Sequence, residues 1–203
     1  MRVVKKPEER RAEMVTAAAR LFAQQGFVRT SVAEIVSAVD VAKGLFYYYF
    51  TTKDDMVKAV VEGYCSYLGA QADAIAAGDG PAMAKLERLL HSDVWRECFT
   101  APLLADLCLP QHAALYEDMC DRFYAHMGPA LRRMSRQALA EAKAAGRAQS
   151  ITEADSDKLV GMTLYGLLHM ARRGEMTLCG ALDIAKRTIM WAVPTPTSDD
   201  TLA

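Results

Sequence analysis

The sequence predicts an all-α chain of about nine helices, opening with two short helices around a tight turn and continuing as longer amphipathic helices. Three observations carry this. Ala, Leu and Met are abundant while Val/Ile/Thr alternation is scarce, a balance that favours helix over strand. Apolar residues recur three and four apart through most of the chain. Gly26, Asp40, Gly78–Pro81, Gly146 and Gly174 punctuate that periodicity, and such residues suit turns.

At 203 residues, 52% hydrophobic and 24% charged, the chain has the composition of a folded protein with one substantial core or a small domain joined to a larger one. No apolar run approaches the ~20 residues that span a bilayer, and the charged start Met1–Arg11 lacks a secretory h-region; a cytoplasmic location with no membrane partner is expected. Cys65, Cys108, Cys120 and Cys179 join Cys98 in an odd, scattered set without C-x-x-C, which suits reduced thiols in a helical core. The net charge is −1. Residues 1–58 nevertheless hold ten Lys/Arg against seven Asp/Glu, net +3, and the remainder is net −4, so a modest basic excess sits at the N-terminal end.

The first helix is expected from Pro7 to Gln25, with Pro7 at the start, Glu8, Glu9 and Glu13 complementing the dipole, and Met14, Ala17, Ala18, Leu21 and Phe22 on one face. Gly26 ends it as a left-handed cap. Ser31 and Glu34 form a capping box for a short helix with Val32, Ile35, Val36 and Val39 inward. Asp40 breaks it, and a second short helix runs from Ala42 to about Tyr49. A longer helix spans Lys53 to about Ala77, with Met56, Val60, Tyr64, Tyr67, Leu68, Gln71 and Ile75 along a stripe. After the Gly78–Pro81 turn, helices are expected at roughly 81–99, 102–109, 111–145, 153–173 and 177–193. Pro129 predicts a kink or break inside the longest of these segments, 111–145. Residues 194–203 are expected to be a disordered tail.

Ala42–Phe50 has the make-up of a DNA-reading helix. Lys43 is a cation at its start, able to reach a guanine edge or a phosphate. Gly44 lets the backbone approach a duplex closely. Tyr47, Tyr48 and Tyr49 carry phenols that can donate to phosphate oxygens while their rings pack, and Lys53 opens the next helix where an anion is favoured. Leu45 and Phe46 cannot both face base edges, and Phe46 is the better core candidate; Tyr49 and Phe50 read equally as core or contact.

The run Thr30–Met56 resembles the signature of the tetracycline-repressor (TetR) family. Thr30, Ile35, Val41, Gly44, Tyr47, Tyr49, Phe50 and Lys53 match it in one ungapped register, and Arg10–Gly26 is similar to the family's first helix, about a quarter of the chain in all. Three departures stand out: Asp40 in place of the turn glycine, Ala42 in place of a serine that caps the helix or binds phosphate, and Val36 in place of an alanine. The resemblance implies an N-terminal three-helix helix-turn-helix DNA-binding domain (residues 1–52) and a C-terminal helical ligand-binding and dimerisation domain (53–193). It places Ser31, Lys43, Gly44, Leu45, Tyr47, Tyr48, Tyr49 and Lys53 against DNA. It also implies an interior effector site, for which the aromatic, Met and His residues Tyr64, Tyr67, Trp95, Phe99, Leu103, Leu107, His112, Tyr116, Met119, Phe123, Met127, Tyr165 and His169 are candidates.

Dimerisation through the last two helices is implied as well. Leu159, Met162, Thr163, Gly166 and Met170 form a stripe with small Gly161 and Gly166, while Leu178, Leu182, Ala185 and Ile189 follow a near-heptad. There is no G-x-S-x-G, Walker A or G-x-G-x-x-G, and His and Cys lack zinc spacing; Cys108 and His112 are four apart with Pro110 between. No enzyme activity, cofactor or metal is expected. The expectation is a homodimeric regulator, most plausibly a repressor, on palindromic double-stranded operator DNA and modulated by a small apolar or aromatic effector. A regulator sensing oxidation through its cysteines is the near alternative, and a helical ligand carrier or enzyme the distant one.

Overall fold

The computed structural model describes residues 6–90, 101–146 and 152–175, with Gly180 and Ile184. Among the described residues there are eight α-helices and no strand. They are α1 (Pro7–Gln25), α2 (Val32–Ala38), α3 (Lys43–Tyr49), α4 (Lys53–Ala77), α5 (Ala82–Leu90), α6 (Ala101–Leu107), α7 (Ala113–Ala144) and α8 (Glu153–Arg172), with a 3-10 turn at Pro110–His112. The described residues fall into two compact units, one within Met1–Ser66 and Asp93–Arg122, the other within Tyr67–Ser92 and Phe123–Ala203.

In the first unit α1 starts where expected. Pro7 occupies its first turn, Glu8 and Glu9 face the positive end of the dipole, and Met14, Ala17, Ala18 and Phe22 are buried at helical spacing. Gly26 caps it with φ 79 and ψ 164. The positive φ is as expected, but the ψ corrects the left-handed assignment: the chain leaves in an extended mirror conformation open to glycine. The Ser31–Glu34 capping box forms, Glu34 N–H donating to Ser31 Oγ at 3.2 Å and Ser31 N–H to Glu34 Oε2 at 2.7 Å. Asp40 takes φ 51 at the turn. Ile35, Val36, Phe46, Phe50, Met56, Val57, Val60 and Val61 complete the core beneath the three short elements. Phe46 is wholly buried, so its truncation to Ala would cost on the order of 3–5 kcal/mol.

The second unit is organised by α7. Met127, Ala130, Met134, Ala138 and Ala142 are buried along it with Leu131 and Leu139. Gly69 of α4 lies so close to this helix that a Cβ there would sit 2.9 Å from the His126 Cβ and carbonyl oxygen. Gln137 and Glu141 fasten the 78–81 turn: Gln137 Nε2 donates to Gly80 O at 3.0 Å, and the Ala82 N–H donates to Glu141 Oε1 at 3.2 Å. Lys85, only 7% exposed, donates to Gln137 Oε1 at 2.8 Å and Ala76 O at 3.1 Å, which satisfies its buried charge. Thr152 and Asp155 cap α8 reciprocally.

Pro129 does not break the helix; α7 continues through it to Ala144. Pro129 and Ala125 both face solvent, so water can take the Ala125 carbonyl that loses its helical donor. The predicted 81–99 helix is described only to Leu90, and α6 stops at Leu107, two residues short, because Pro110 begins a new turn. Within the expected 177–193 helix, Gly180 and Ile184 are helical. Leu178, Leu182, Ala185 and Ile189, like the tail 194–203, lie outside the described residues.

Candidate nucleic-acid interface

A two-sided helix is the core of the site. On α3, Phe46 and Phe50 turn inward and are 0% and 3% exposed, with their ring centroids 5.5 Å apart. Lys43, Gly44, Tyr47 and Tyr48 occupy the opposite side and are exposed; Tyr48 is 75% and Tyr47 53% exposed. Positions i, i+1, i+4 and i+5 share one helical face, so these four residues form a single outward stripe. Large aromatic rings left in water at this spacing are unusual on a solitary surface. Edge-to-face contacts hold them in place: Tyr47 against Phe46 at 5.3 Å and Tyr48 against Tyr49 at 4.9 Å.

Gly44 is informative for what surrounds it. A Cβ built there meets nothing within 4 Å, and its φ is not positive. Neither packing nor backbone conformation within the chain requires glycine, though it weakens a helix by about 1 kcal/mol relative to Ala. Leu45 and Tyr49 are half-buried at the flanks of the stripe. Ala42 precedes α3 without a side-chain cap, the consequence expected from the missing hydroxyl. Ser31 is exposed and accepts from the Glu34 amide through Oγ.

Lys53 has a different task from the one expected of it. Its ammonium donates to Phe27 O at 2.8 Å, Thr30 O at 3.2 Å and Val28 O at 3.3 Å. All three of its donors are thereby engaged by the α1–α2 loop. The start of α4 also supplies its own counter-charge: Thr52 N–H donates to Asp55 Oδ2 at 2.9 Å, Asp55 N–H to Thr52 Oγ1 at 3.1 Å, and Asp54 stands beside them. Two carboxylates in the first turn already answer the dipole, so this terminus does not invite a phosphate.

Two residues outside the expected set belong to the site's framework. Thr30, 1% exposed, donates through Oγ1 to Gly26 O at 2.7 Å and receives Gln25 Nε2 at 3.2 Å. Arg11 lies over the Phe50 ring, 4.9 Å from its centroid, a cation–π contact at the end of α3. Spacing alone could not disclose it, since the partners are far apart in the chain. Glu34 is held below the usual carboxylate range, first by the Ser31 amide, then by the Ser31 hydroxyl and Gln25.

The residues expected to line an effector site are not gathered as one described pocket. Leu103, Leu107, Tyr116 and Met119 are buried in the first unit, and Phe123 and Met127 in the second. Tyr64 is half-buried with its hydroxyl donating to Ala19 O at 3.4 Å. Tyr67 is 47% exposed, and His112 packs on Phe27 with ring centroids 4.8 Å apart. Tyr165 and His169 lie on the exposed side of α8, where Tyr165 borders an open groove with Tyr124, Arg132, Gly161 and Met162. Trp95 and Phe99 lie outside the described residues.

Of the expected dimer residues, Leu159 and Met170 are each 38% exposed on α8, Gly166 is exposed and Thr163 is half-buried. Met162, 73% exposed, is the most open apolar side chain of this face. Among the described residues no three His, Cys, Asp or Glu side chains gather as metal ligands, and no helix is long and apolar enough to cross a membrane.

Known proteins agree with this geometry. The family model for "Bacterial regulatory proteins, tetR family" matches residues 15–60. The HTH-type transcriptional regulator HbdR of Aromatoleum sp. (strain CIB) is 34% identical over 95 residues, 45% of this chain and 38% of HbdR. The HTH-type transcriptional repressor KstR2 of Rhodococcus jostii (strain RHA1) is 33% identical over 81 residues, 40% of each chain. The matched segments thus span well under half the length of these relatives. Among solved structures, RolR with its ligand resorcinol superposes with a TM-score of 0.62 at 21% identity, covering 95% of this chain and 91% of RolR. FadR from Bacillus subtilis, in complex with stearoyl-CoA, gives 0.59 at 13% identity, covering 91% and 100%. Identities this low speak for the fold alone; residues 15–60, about a quarter of the chain, are similar to the tetR family of bacterial regulatory proteins.

Proposed function

We propose that the chain is a DNA-binding transcription regulator, acting as a repressor, whose α3 enters the major groove of double-stranded operator DNA. The observation that carries this reading is the outward stripe Lys43, Gly44, Tyr47 and Tyr48 standing on buried Phe46 and Phe50. In this reading Lys43 donates to a base edge or phosphate, Gly44 admits the duplex, Tyr47, Tyr48 and Tyr49 donate to phosphate oxygens, and Ser31 adds a hydroxyl donor from the start of α2. Leu45 offers apolar contact at the stripe's edge. Residues 1–52 form the DNA-binding domain and residues 53–193 the effector-binding and dimerisation domain.

The chain acts as a homodimer on a palindromic site, presenting two copies of α3 about 34–36 Å apart. The apolar face of α8, with Leu159, Met162 and Met170 exposed, supports pairing with a second copy, since such faces on helices are normally covered. A small apolar or aromatic effector, held inside the helical domain, shifts the population between DNA-competent and incompetent states. That switch needs a differential affinity of a few kcal/mol. Anisotropy titration of the purified protein with duplex DNA upstream of its own gene tests the reading. Salt-sensitive binding that saturates at one dimer per palindrome is expected; no salt-sensitive binding, or binding equal on every duplex, would overturn it.

A further inference from the structure

The α1–α2 loop is held from two sides, and one of the holders comes from far along the chain. Lys53 of α4 takes the loop's carbonyls at Phe27, Val28 and Thr30. On the other side, the Val28 N–H donates to Oδ2 of Asp106, on α6, at 2.8 Å. Asp106 is itself anchored, because its carbonyl oxygen accepts from His112 Nδ1 at 2.7 Å and the Leu109 N–H at 3.3 Å. The His112 ring then packs on Phe27, the residue before Val28. Gly26 completes the seat: a Cβ there would lie 2.2 Å from Asp106 Oδ2 and 3.2 Å from Pro102 O. The backbone of α1's end is therefore pressed directly onto α6.

We propose that Asp106 is a positioning residue for DNA recognition, setting the α1–α2 loop and through it the attitude of α2 and α3. The inference rests on the reading of α3 as the DNA-contacting helix. The path is short. Two residues after Val28 comes Thr30, whose hydroxyl is tied back to Gly26, and then Ser31, the N-cap of α2. A loop released at Val28 loses its charge-assisted anchor and keeps only the lysine side of the clamp. Asp106 lies outside both the residues 1–52 expected to form the DNA-binding domain and the residues 15–60 that match the family. The recognition element is then completed by a carboxylate from outside its own helix-turn-helix segment.

The test uses the full chain as Asp106→Ala and Asp106→Asn, with a duplex enriched from a randomised pool by the wild-type protein. Three quantities are read for each: amide exchange at Val28, affinity for the duplex, and the slope of log affinity against log salt. Losing a hydrogen bond to a charged acceptor is expected to speed Val28 exchange roughly tenfold or more in Asp106→Ala and to weaken DNA binding by a similar factor. The salt slope is expected to stay unchanged, because Asp106 neutralises no phosphate. Asp106→Asn keeps an acceptor oxygen and is expected to restore much of both losses. Wild-type-like affinity in Asp106→Ala with Val28 exchange accelerated overturns the proposal, as does exchange that does not respond. If the wild type enriches no duplex, the DNA reading fails and this proposal with it; if the wild type binds and the variants bind equally, only this proposal fails.

Discussion

Replacing Lys53 by Met separates a clamp from a DNA contact. The ammonium makes hydrogen bonds of 2.8, 3.2 and 3.3 Å to three loop carbonyls, and a net hydrogen bond to a charged group is worth about 1.5–3 kcal/mol. Only the 2.8 Å bond to Phe27 O has strong geometry, and the Val28 bond is exposed, so water replaces part of the loss. The expected destabilisation is about 2–3 kcal/mol, which for a chain of this size lowers Tm by about 4–12 °C. Methionine keeps most of the aliphatic stem, which isolates the ammonium. The assay pairs thermal unfolding followed by circular dichroism with the salt dependence of duplex binding. A lysine that neutralised a phosphate would reduce the log–log slope by about 0.9 when removed. The clamp predicts a clear fall in Tm, weaker binding at every salt concentration and an unaltered slope. Unchanged Tm with a slope reduced by about one per protomer would refute the reasoning, because it would mean that the ammonium faces DNA.

Other substitutions carry expectations of their own. Gly44→Ala is expected to stabilise the fold by about 0.5–1 kcal/mol, since its methyl enters open space and improves a helix, while weakening duplex binding; a variant both more stable and fully active would remove Gly44 from the interface. Met162→Glu puts a charge on the exposed face of α8 and is expected to shift sedimentation from dimer to monomer and to weaken operator binding; an unaltered dimer would move the interface elsewhere. The capping box should show in acid. The folded Glu34 carboxyl is depressed, chiefly by the Ser31 amide, so its contribution is present above the ordinary carboxylate value and is lost as pH falls through the folded one. Urea unfolding of wild type and Glu34→Ala should therefore differ near neutrality and converge in acid; a gap independent of pH would count against an ionised cap. Cys65 and Cys120 are buried and Cys108 is half-buried; duplex binding is expected to survive brief alkylation of the native protein and of a Cys108→Ala variant alike, and its loss would favour the cysteine-sensing alternative.

The most legible parts of this molecule were those set by neighbours in sequence. Pro7, the Ser31–Glu34 pair, Asp40 and the alternation of Phe46 with Lys43, Gly44, Tyr47 and Tyr48 each act within a turn or two of helix, so spacing exposes them, whereas burial decides Phe50. Pro129 misled because its effect depends on what lies around it. Facing water, it costs a helical hydrogen bond without ending the helix. Lys53 misled for a related reason. Its motif position and its charge both pointed to an anion, and only the fold brings three carbonyls within reach of its ammonium. The candidate effector residues show the same limit. Aromatic and Met side chains at helical spacing line a core and a ligand site alike, and burial places Leu103 and Tyr116 in one unit and Phe123 and Met127 in the other.

Lys53 and Asp106 together change what the helix-turn-helix means in this chain. A helix of seven residues is too short to hold its shape in water by itself, so the attitude of α3 must come from what it stands on. Phe46 and Phe50 supply the base, but they fix only the buried side. The approach of α2 and α3 is governed by the loop that delivers them, and that loop has its carbonyls bound to a lysine at the start of α4 and an amide bound to an aspartate on α6. In the proposed reading, recognition geometry is set partly outside the 15–60 segment, by Asp106. Variation at positions 53 and 106 should alter binding to all duplexes together, whereas variation at Lys43, Tyr47 or Tyr48 should alter the ranking among duplexes. Comparing sequence preference across the two sets of variants distinguishes them: a Lys53 or Asp106 variant that re-ranks duplexes without weakening binding to any of them would contradict this division of labour.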